Sequence, residues 1–253
     1  MMERQPIMAA NWKLHKTVAE AQQFIESLKA GTAKLEGIDV VLAAPFTALY
    51  AMSKQLRGTS IHLAAQDVFW ESQGAYTGEV SAPMLVDVGC SHVIIGHSER
   101  RQYFGETDDT VQRKVQAALT SGLAPIVCIG ETLEQRQAGE TFNIIETQIR
   151  SGLAGCDASS ASRLVLAYEP IWAIGTGVTA TPAEAQDVHR QIRRLLAELW
   201  DEEAAQAIRI QYGGSVKPDN VVSLMAESDI DGALIGGASL EADSFIQILM
   251  YRG

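Results

Sequence analysis

Residues suited to acid–base chemistry stand directly after several short apolar segments of this chain. Asn11 and Lys13 follow the first such segment, His97 and Glu99 follow a later one, and Glu169 closely follows a third. A carboxylate and an imidazole can exchange protons with a bound molecule, and an ammonium or amide can stabilise negative charge that develops on it. These residue types indicate acid–base catalysis, provided that the fold brings them to one place.

Taken one at a time, these side chains have ordinary interpretations. A glutamate at a strand end is usually an exposed surface residue. A single histidine more often satisfies a structural hydrogen bond, and a single lysine is usually a solvated charge. Only the convergence of Glu169, His97 and Lys13 favours a catalytic site, so the arrangement of the segments that carry them decides between the two interpretations.

Short apolar runs alternate with amphipathic helical patterns along the whole chain. Near-continuous apolar runs are typical of parallel strands covered on both faces, and patterns such as Thr17 to Ala30 have apolar residues at helical spacing. The predicted strands are PIMAAN, IDVVLAA, IHLAA, HVIIG, APIVCIG, RLVLAY, IRIQY and GALIG. With 253 residues and no linker, we predict an α/β fold, a single (β/α)8 barrel domain over residues 1–253 with eight parallel strands and outer helices. A doubly wound open sheet fits the same alternation.

The barrel prediction also says where function should lie, because the active site of such a barrel forms at the carboxyl ends of its strands. Side chains alternate between the two faces of a strand. This rule puts His97 on the face of Val93 and Ile95. It puts Glu169 on the face of Val165 and Ala167, and it puts Asn11 and Lys13 on one face. If these faces point inward, an amide, an ammonium, an imidazole and a carboxylate converge at one mouth of the barrel.

Two late glycine-rich segments suggest where an anion binds. YGGSVKP (212–218) and LIGGASL (234–240) each end a predicted strand and open a helix. Glycines let backbone N–H groups approach a ligand, and helix N-termini favour anions. Two ordinary tight turns are the alternative, but segments after the seventh and eighth strands of a barrel often bind phosphate. The position of both segments therefore favours a phosphate site.

The composition limits the partners of the chain. Its net charge of −11 and pI of about 4.9 disfavour nucleic acid and anionic membranes. No apolar run approaches a membrane span, and the start of the chain has no secretory signal. The 3 cysteines lack metal-ligand spacing, which indicates reduced thiols and a cytoplasmic location.

We expect no metal and no organic cofactor. GTGVTA fits a dinucleotide-binding loop only loosely, because residues 169–174 separate it from its strand. GHSER resembles a nucleophile elbow, but Arg100 stands where the sharp turn needs a small residue. HSE lacks the later cysteine motif of a zinc deaminase.

Six segments in order along the chain, NWK, IIGHSERR, CIGETLEQR, AYEPIWAIGTG, YGGSV and LIGGASL, resemble the triosephosphate isomerase family. The resemblance extends over essentially the whole sequence. It implies a TIM-barrel isomerase of glycolysis and gluconeogenesis whose substrate is a small phosphorylated triose. Such an enzyme interconverts dihydroxyacetone phosphate and D-glyceraldehyde 3-phosphate by proton transfer through an enediolate.

The resemblance also implies a role for each candidate catalytic residue. Glu169 matches the family's base, and His97 matches its neutral electrophile. Lys13 places positive charge beside the substrate oxygens, and Asn11 donates a hydrogen bond to them. Glu99 is a supporting carboxylate for Lys13.

The phosphate contacts implied by the resemblance are Ser215, Gly236 and Gly237, together with the backbone N–H of Gly175. Gly175 belongs to residues 170–178, which match a lid that closes over the substrate and excludes water. Backbone dipoles and the lysine near the first strand then attract the dianion despite the acidic chain.

Two apolar residues are expected to act on the base. Ile174 in the lid and Leu234 near the last strand would press on the Glu169 carboxylate. Because desolvation disfavours the charged form of a carboxylate, it raises the pKa and makes the group a stronger base.

The segment GAYTGEVS (74–81) matches the loop that inserts into a neighbouring subunit in this family. Thr77 would then support Asn11 and Lys13 of the partner, and the active unit would be a homodimer. From the residues alone, the same segment is equally a surface turn made by its glycines.

Two other functions remain open from the sequence. The first is another phosphosugar isomerase or epimerase barrel, which shares the late glycine segments but usually needs other acid–base pairs or a metal. The second is a non-catalytic phosphate-binding barrel, which we would expect to have lost either Glu169 or His97, and both are present.

Overall fold

Eight strands lie where the apolar runs predict them in the computed structural model, which describes residues 4–33, 35–174 and 179–252. Each run is short, apolar and followed by a helix, which is the pattern of parallel strands joined by crossover helices. The strands are β1 (Ile7–Asn11), β2 (Asp39–Ala44), β3 (Ile61–Ala65), β4 (His92–Ile95), β5 (Ala124–Ile129), β6 (Val165–Tyr168), β7 (Arg209–Tyr212) and β8 (Gly232–Ile235).

The strands form a closed parallel barrel in sequence order. β1 pairs with β2, with Ile7 opposite Asp39, and also with β8, with Ile7 opposite Gly232. Because the first strand pairs with the last, the sheet has no free edge. The predicted (β/α)8 barrel is therefore confirmed, and the open doubly wound sheet is excluded.

Of the neighbouring strands, β7 and β8 share the fewest paired residues, with only Tyr212 opposite Ala233. The fully buried Gln211 compensates from inside the barrel. Its Nε2 donates to the backbone oxygens of Ile7 at 3.0 Å and Ala233 at 3.2 Å. One side-chain amide on β7 thus ties the backbones of β1 and β8 together where the β7–β8 pairing is short.

Helices surround the barrel, and several of them begin at threonine capping boxes. Thr17 forms a capping box with Glu20, and Thr181 forms one with Glu184, with a proline in the first turn of that helix. None of the described helices is long and apolar enough to cross a membrane. The helices are α1 (Val18–Gly31), α2 (Phe46–Gln55), α3 (Ala82–Asp87), α4 (Ser98–Phe104), α5 (Asp108–Thr120), α6 (Leu133–Gln137), α7 (Thr141–Gly152), α8 (Pro182–Leu199), α9 (Glu202–Ala207), α10 (Val221–Met225) and α11 (Ala242–Leu249).

Apolar side chains form two layers, one inside the barrel and one between the barrel and the helices. On β6, Val165 and Ala167 belong to the inner layer, as the alternation predicts. On β4 the inward residue is Ile94, whereas Val93 and Ile95 pack in the outer layer. The predicted inward face of β4 was therefore wrong. The prediction continued the alternation of faces to His97, but β4 ends at Ile95 and the positive φ of Gly96 interrupts the alternation.

A buried cluster of charges links the loop after β3 to α4 and α5. Lys114 on α5 contacts Asp67 at 2.6 Å and also contacts Glu106, and all three residues are buried. Arg100 reaches the second oxygen of Asp67 at 2.8 Å. Each buried carboxylate therefore has a cationic partner, without which its desolvation would be costly.

Removing the central cation of this cluster should destabilise the fold. Lys114→Met leaves Asp67 and Glu106 buried with less compensation, and breaking a buried ion pair in this way typically costs about 3–5 kcal/mol. Denaturant unfolding at fixed protein concentration measures the change. Arg190→Gln is the control, because it removes only an exposed pair with Asp187. Equal losses for the two variants would show that the buried cluster does not stabilise the fold.

Candidate active site

The carboxyl ends of β1, β4 and β6 bring the predicted acid–base residues together. Asn11, His97 and Glu169 are all buried, and Glu169 is only 2% exposed. Lys13 lies beside them, half-buried. The convergence on which the sequence argument depends is therefore present.

Two glycines make room for the main chain of Glu169. A Cβ at Gly130 would lie 1.8 Å from the backbone oxygen of Glu169, and one at Gly213 would lie 2.8 Å from its Cγ. The backbone N–H of Glu169 donates to Ile129 at 2.7 Å. Close approach from both sides, which only glycine permits here, fixes where the carboxylate begins.

The Glu169 carboxylate rests on two donors from the start of α4. Its Oε2 accepts the backbone N–H of Ser98 at 2.9 Å, and its Oε1 lies 2.9 Å from Nε2 of His97. Burial raises the pKa of this carboxyl, as expected from desolvation, but His97, the Ser98 N–H and Lys13 together lower it by more, so the net pKa is lowered. The expected net rise does not occur in this arrangement, because no local sequence pattern indicates the donors at the start of α4.

His97 reaches the mouth through a break in the strand pattern. Gly96 has φ +74°, a conformation that glycine adopts without strain, and it turns the chain out of β4. His97 then caps α4, and its Nδ1 accepts the backbone N–H of Glu99 at 3.2 Å. An Nδ1 that accepts carries no proton, so the hydrogen of the ring lies on Nε2, which donates to Glu169.

The protonation of His97 is coupled to the position of Glu169. Burial lowers the pKa of the His97 ring, but the adjacent Glu169 carboxylate and Glu99, whose Oε2 lies 3.6 Å from Nδ1, together raise it by more, so the net pKa is raised. The hydrogen bond at Nδ1 opposes a second proton, because a protonated Nδ1 would face the N–H of Glu99. When the Glu169 carboxylate moves away, the main cause of the raised pKa goes with it.

Asn11 and Lys13 are held by each other and by Gln66. The backbone N–H of Lys13, at φ +51°, donates to Oδ1 of Asn11 at 3.0 Å. Gln66 at the end of β3 donates to the backbone oxygens of Lys13 at 3.0 Å and Ala43 at 3.1 Å. Because Oδ1 of Asn11 is already used as an acceptor, its Nδ2 remains to donate to a ligand.

The ammonium of Lys13 already has a partner. Its Nζ lies 2.5 Å from Oε1 of Glu99. Glu99 therefore lies where a supporting carboxylate for Lys13 should be.

The two late glycine segments lie next to these groups. A Cβ at Gly236 would come 3.3 Å from Cε of Lys13, so the end of β8 directly adjoins the lysine. A short 3₁₀ turn (Gly237–Ser239) follows, and Ser239 closes it by donating to the backbone oxygen of Ile235 at 2.8 Å. Gly236 and Gly237 thus begin a 3₁₀ turn rather than a long helix, and α11 begins only after that turn.

A cavity of about 660 Å³ joins the acid–base groups to the glycine segments. Ile174 and Leu234 line it as predicted, beside Glu169. Its lining includes all but three of the predicted site residues: Asn11, Lys13, His97, Glu169, Ile174, Ser215, Leu234, Gly236 and Gly237.

The three other predicted residues lie elsewhere. Glu99 reaches the site through Lys13, and Thr77 lies in an exposed loop away from the cavity lining. Gly175, with the rest of the lid after Ile174, lies outside the described residues. Across the described ranges, no group of three or more His, Cys, Asp or Glu side chains is placed to hold a metal ion.

The sequence analysis did not assign roles to Ser98, Gln66, Gly130 or Gly213. Ser98 acts through its backbone N–H, so its side-chain type carries no signal. Gln66 follows β3 as the catalytic residues follow their strands, and that position was the available signal. The role of Gly130 and Gly213 is visible only in the folded barrel, where the strands that they follow lie on either side of Glu169.

Comparisons with known proteins agree over nearly the whole chain. A family model described as triosephosphate isomerase matches residues 6–252. A curated protein of that name from Geotalea uraniireducens (strain Rf4) is 55% identical to this chain, over 98% of this chain and 99% of that protein. Another from Moorella thermoacetica is 57% identical, over 98% of this chain and 99% of that protein. The chain therefore belongs to the triosephosphate isomerase family.

Proposed function

We propose that this chain interconverts dihydroxyacetone phosphate and D-glyceraldehyde 3-phosphate, a step used in both directions by glycolysis and gluconeogenesis. The observation that carries the proposal is the buried carboxylate of Glu169 against Nε2 of His97, on a cavity that ends at the glycine segments. Family membership gives the substrate class, and this geometry gives the groups that the reaction needs.

Glu169 is proposed as the base. It takes a proton from the hydroxyl-bearing carbon next to the carbonyl of the substrate; the electron pair of that C–H bond forms a C=C bond, and the π pair of the carbonyl moves onto its oxygen to give an enediolate. The hydroxyl proton passes from one substrate oxygen to the other through Nε2 of His97, which gives a proton to the former carbonyl oxygen and takes one from the neighbouring hydroxyl. The Glu169 carboxyl group then returns its proton to the former carbonyl carbon, so both groups are regenerated and the reaction is a net isomerisation. This role needs the carboxylate to leave Ser98 and His97, which hold it before substrate binds.

His97 is proposed as the electrophile, in the division of roles established for this enzyme family. Its Nε2–H, which donates to Glu169 in the empty site, would donate to the substrate oxygen once the carboxylate has moved. Lys13 and Nδ2 of Asn11 add positive potential and a hydrogen bond at the same oxygens. Exchange of one acceptor for another at Nε2 keeps the ring hydrogen-bonded throughout.

The phosphate group is proposed to lie against Ser215, Gly236 and Gly237, which line the far end of the cavity. Backbone N–H groups exposed at glycines suit an anion because no side chain blocks their approach. Gly175 is proposed to add its N–H when the lid closes, as the family resemblance implies.

Another phosphosugar isomerase is a weaker candidate for this site. Such enzymes usually need a different acid–base pair or a metal, and here one carboxylate and one neutral imidazole stand next to the phosphate end. Assay with both triose phosphates in the presence of a chelator separates the two, since the proposed reaction proceeds without added metal.

We also propose that the active unit is a homodimer. A second cavity of about 530 Å³ adjoins Lys13 and Glu99 and is lined by the apolar side chains of Leu14, Phe46 and Phe104. Leu14 is 94% exposed in the isolated chain, which is unusual for a large apolar residue. The proposed occupant is the exposed loop 74–81 of a second copy, which carries Thr77 toward Lys13 of its partner.

Shortening the base should slow the reaction without unfolding the protein. Glu169→Asp withdraws the carboxylate by one methylene, and a misplacement of about 1 Å can cost about 10²-fold in rate. Because the phosphate contacts are untouched, the loss should fall on kcat rather than KM. Steady-state kinetics with both triose phosphates measure it. The same change at the exposed Glu134 is the control, and near-normal turnover of the Glu169 variant would remove Glu169 from this role.

His97 should be neutral at pH 7, with its single proton on Nε2, once a bound enediolate mimic has displaced the Glu169 carboxylate, because the main cause of its raised pKa is then gone. Nitrogen-15 NMR of the imidazole distinguishes this tautomer from an imidazolium, and the His97→Gln spectrum identifies the signal. The same variant should lose about 10²–10⁴-fold in kcat. An imidazolium at neutral pH in the complex with the mimic would contradict the electrophile role.

A charge in the second cavity should break the dimer. Leu14→Asp would bury a carboxylate against Phe46 and Phe104, which is unfavourable without a partner. We expect sedimentation velocity to show monomers and the activity per chain to fall. Val222→Asp changes another exposed apolar residue, on α10, and should leave the assembly intact. A stable dimer of the Leu14 variant would place the interface elsewhere.

A further inference from the structure

The charged groups deep in the active-site cavity attract a distant dianion only weakly, although Lys13 can act on substrate oxygens at short range. The Lys13 ammonium lies 2.5 Å from the Glu99 carboxylate, so its charge is largely compensated before any ligand arrives. Glu169 adds a carboxylate whose lowered pKa keeps it ionised. The chain as a whole carries a net charge of −11. A phosphorylated substrate approaching this mouth therefore needs another source of positive potential.

Lys217 is the cation that the cavity offers without such a partner. It lines the cavity beyond Ser215 and is exposed to solvent. Among the residues that the structure describes, no carboxylate lies within ion-pair distance of its ammonium, although Asp219 is only two positions further on. An uncompensated charge at a concave mouth acts on approaching ions more strongly than one on a convex surface.

The backbone beneath Lys217 is held in place by Asn220. The Lys217 N–H donates to Oδ1 of Asn220 at 2.8 Å, and Nδ2 of Asn220 donates to the backbone oxygen of Ser215 at 3.0 Å. One side-chain amide thus braces both residues in a single turn. The root of the lysine side chain is thereby fixed next to the proposed phosphate contact at Ser215.

We infer that Lys217 steers the phosphate dianion of the substrate into the cavity. The inference rests on the proposed function, because it names the residue that speeds encounter with a phosphorylated triose. A steering charge raises the rate of association and leaves the chemical step alone. Removal of the Lys217 charge should therefore lower kcat/KM at low ionic strength. This loss should vanish at high ionic strength, where salt screens the charge.

The test compares Lys217→Gln with Lys29→Gln, which makes the same change in net charge on the exposed end of α1. A unit charge and a dianion about 8 Å apart in water attract strongly enough to change an encounter rate about fivefold. We expect Lys217→Gln alone to lower kcat/KM by about this factor at about 0.01 M salt, where the Debye length is about 30 Å. The difference should disappear near 1 M salt, where it is about 3 Å.

A second comparison separates steering from a structural effect. Unphosphorylated D-glyceraldehyde carries no charge, so Lys217→Gln should leave its turnover unchanged, and Lys217→Arg should restore kcat/KM for the phosphorylated substrate. Equal losses with both substrates, a loss that persists at high salt, or a kcat/KM equal to that of Lys29→Gln would overturn the steering role. If the wild-type chain isomerises neither triose phosphate, the proposed function fails instead, and the two failures are thus distinguishable.

Discussion

The positions of the other active-site groups depend on the contact between the Glu169 carboxylate and the start of α4. A carboxylate only 2% exposed is unfavourable unless its oxygens are satisfied, and Nε2 of His97 and the N–H of Ser98 satisfy them. Both donors come from one turn, so α4 must begin at the mouth of the barrel. The left-handed turn at Gly96 is what places it there.

The same contact explains why glycines surround the base. For the carboxylate to reach α4, its main chain must lie deep between the ends of β5 and β7, where Gly130 and Gly213 leave no Cβ in the way. In the proposed role, substrate binding changes the partner of the Glu169 carboxylate while close packing against Gly130 and Gly213 holds its main chain. Such an arrangement suits a base that must return to one position in every cycle.

Local patterns in the sequence were sufficient for the strands and the inward face of β6, because each depends on neighbours along the chain. The inward face of β4 was mistaken, since a positive φ at Gly96 interrupts the alternation before His97. The lowered pKa of Glu169 was missed for a different reason. It arises from donors 71 and 72 positions away, which no local pattern brings into contact.

Satisfying buried charges before the substrate arrives has a consequence for recognition. Two of the proposed catalytic groups are already paired in the structure with a group of complementary charge or hydrogen-bonding type: Glu169 has His97, and Lys13 has Glu99. Such pairing stabilises these groups, but it also reduces the long-range positive potential that attracts an anionic substrate. Recognition of the phosphate therefore depends on groups outside these pairs. These are backbone N–H groups, whose dipoles cannot be neutralised by a proton, and cations at the rim that remain solvated until the ligand displaces their water.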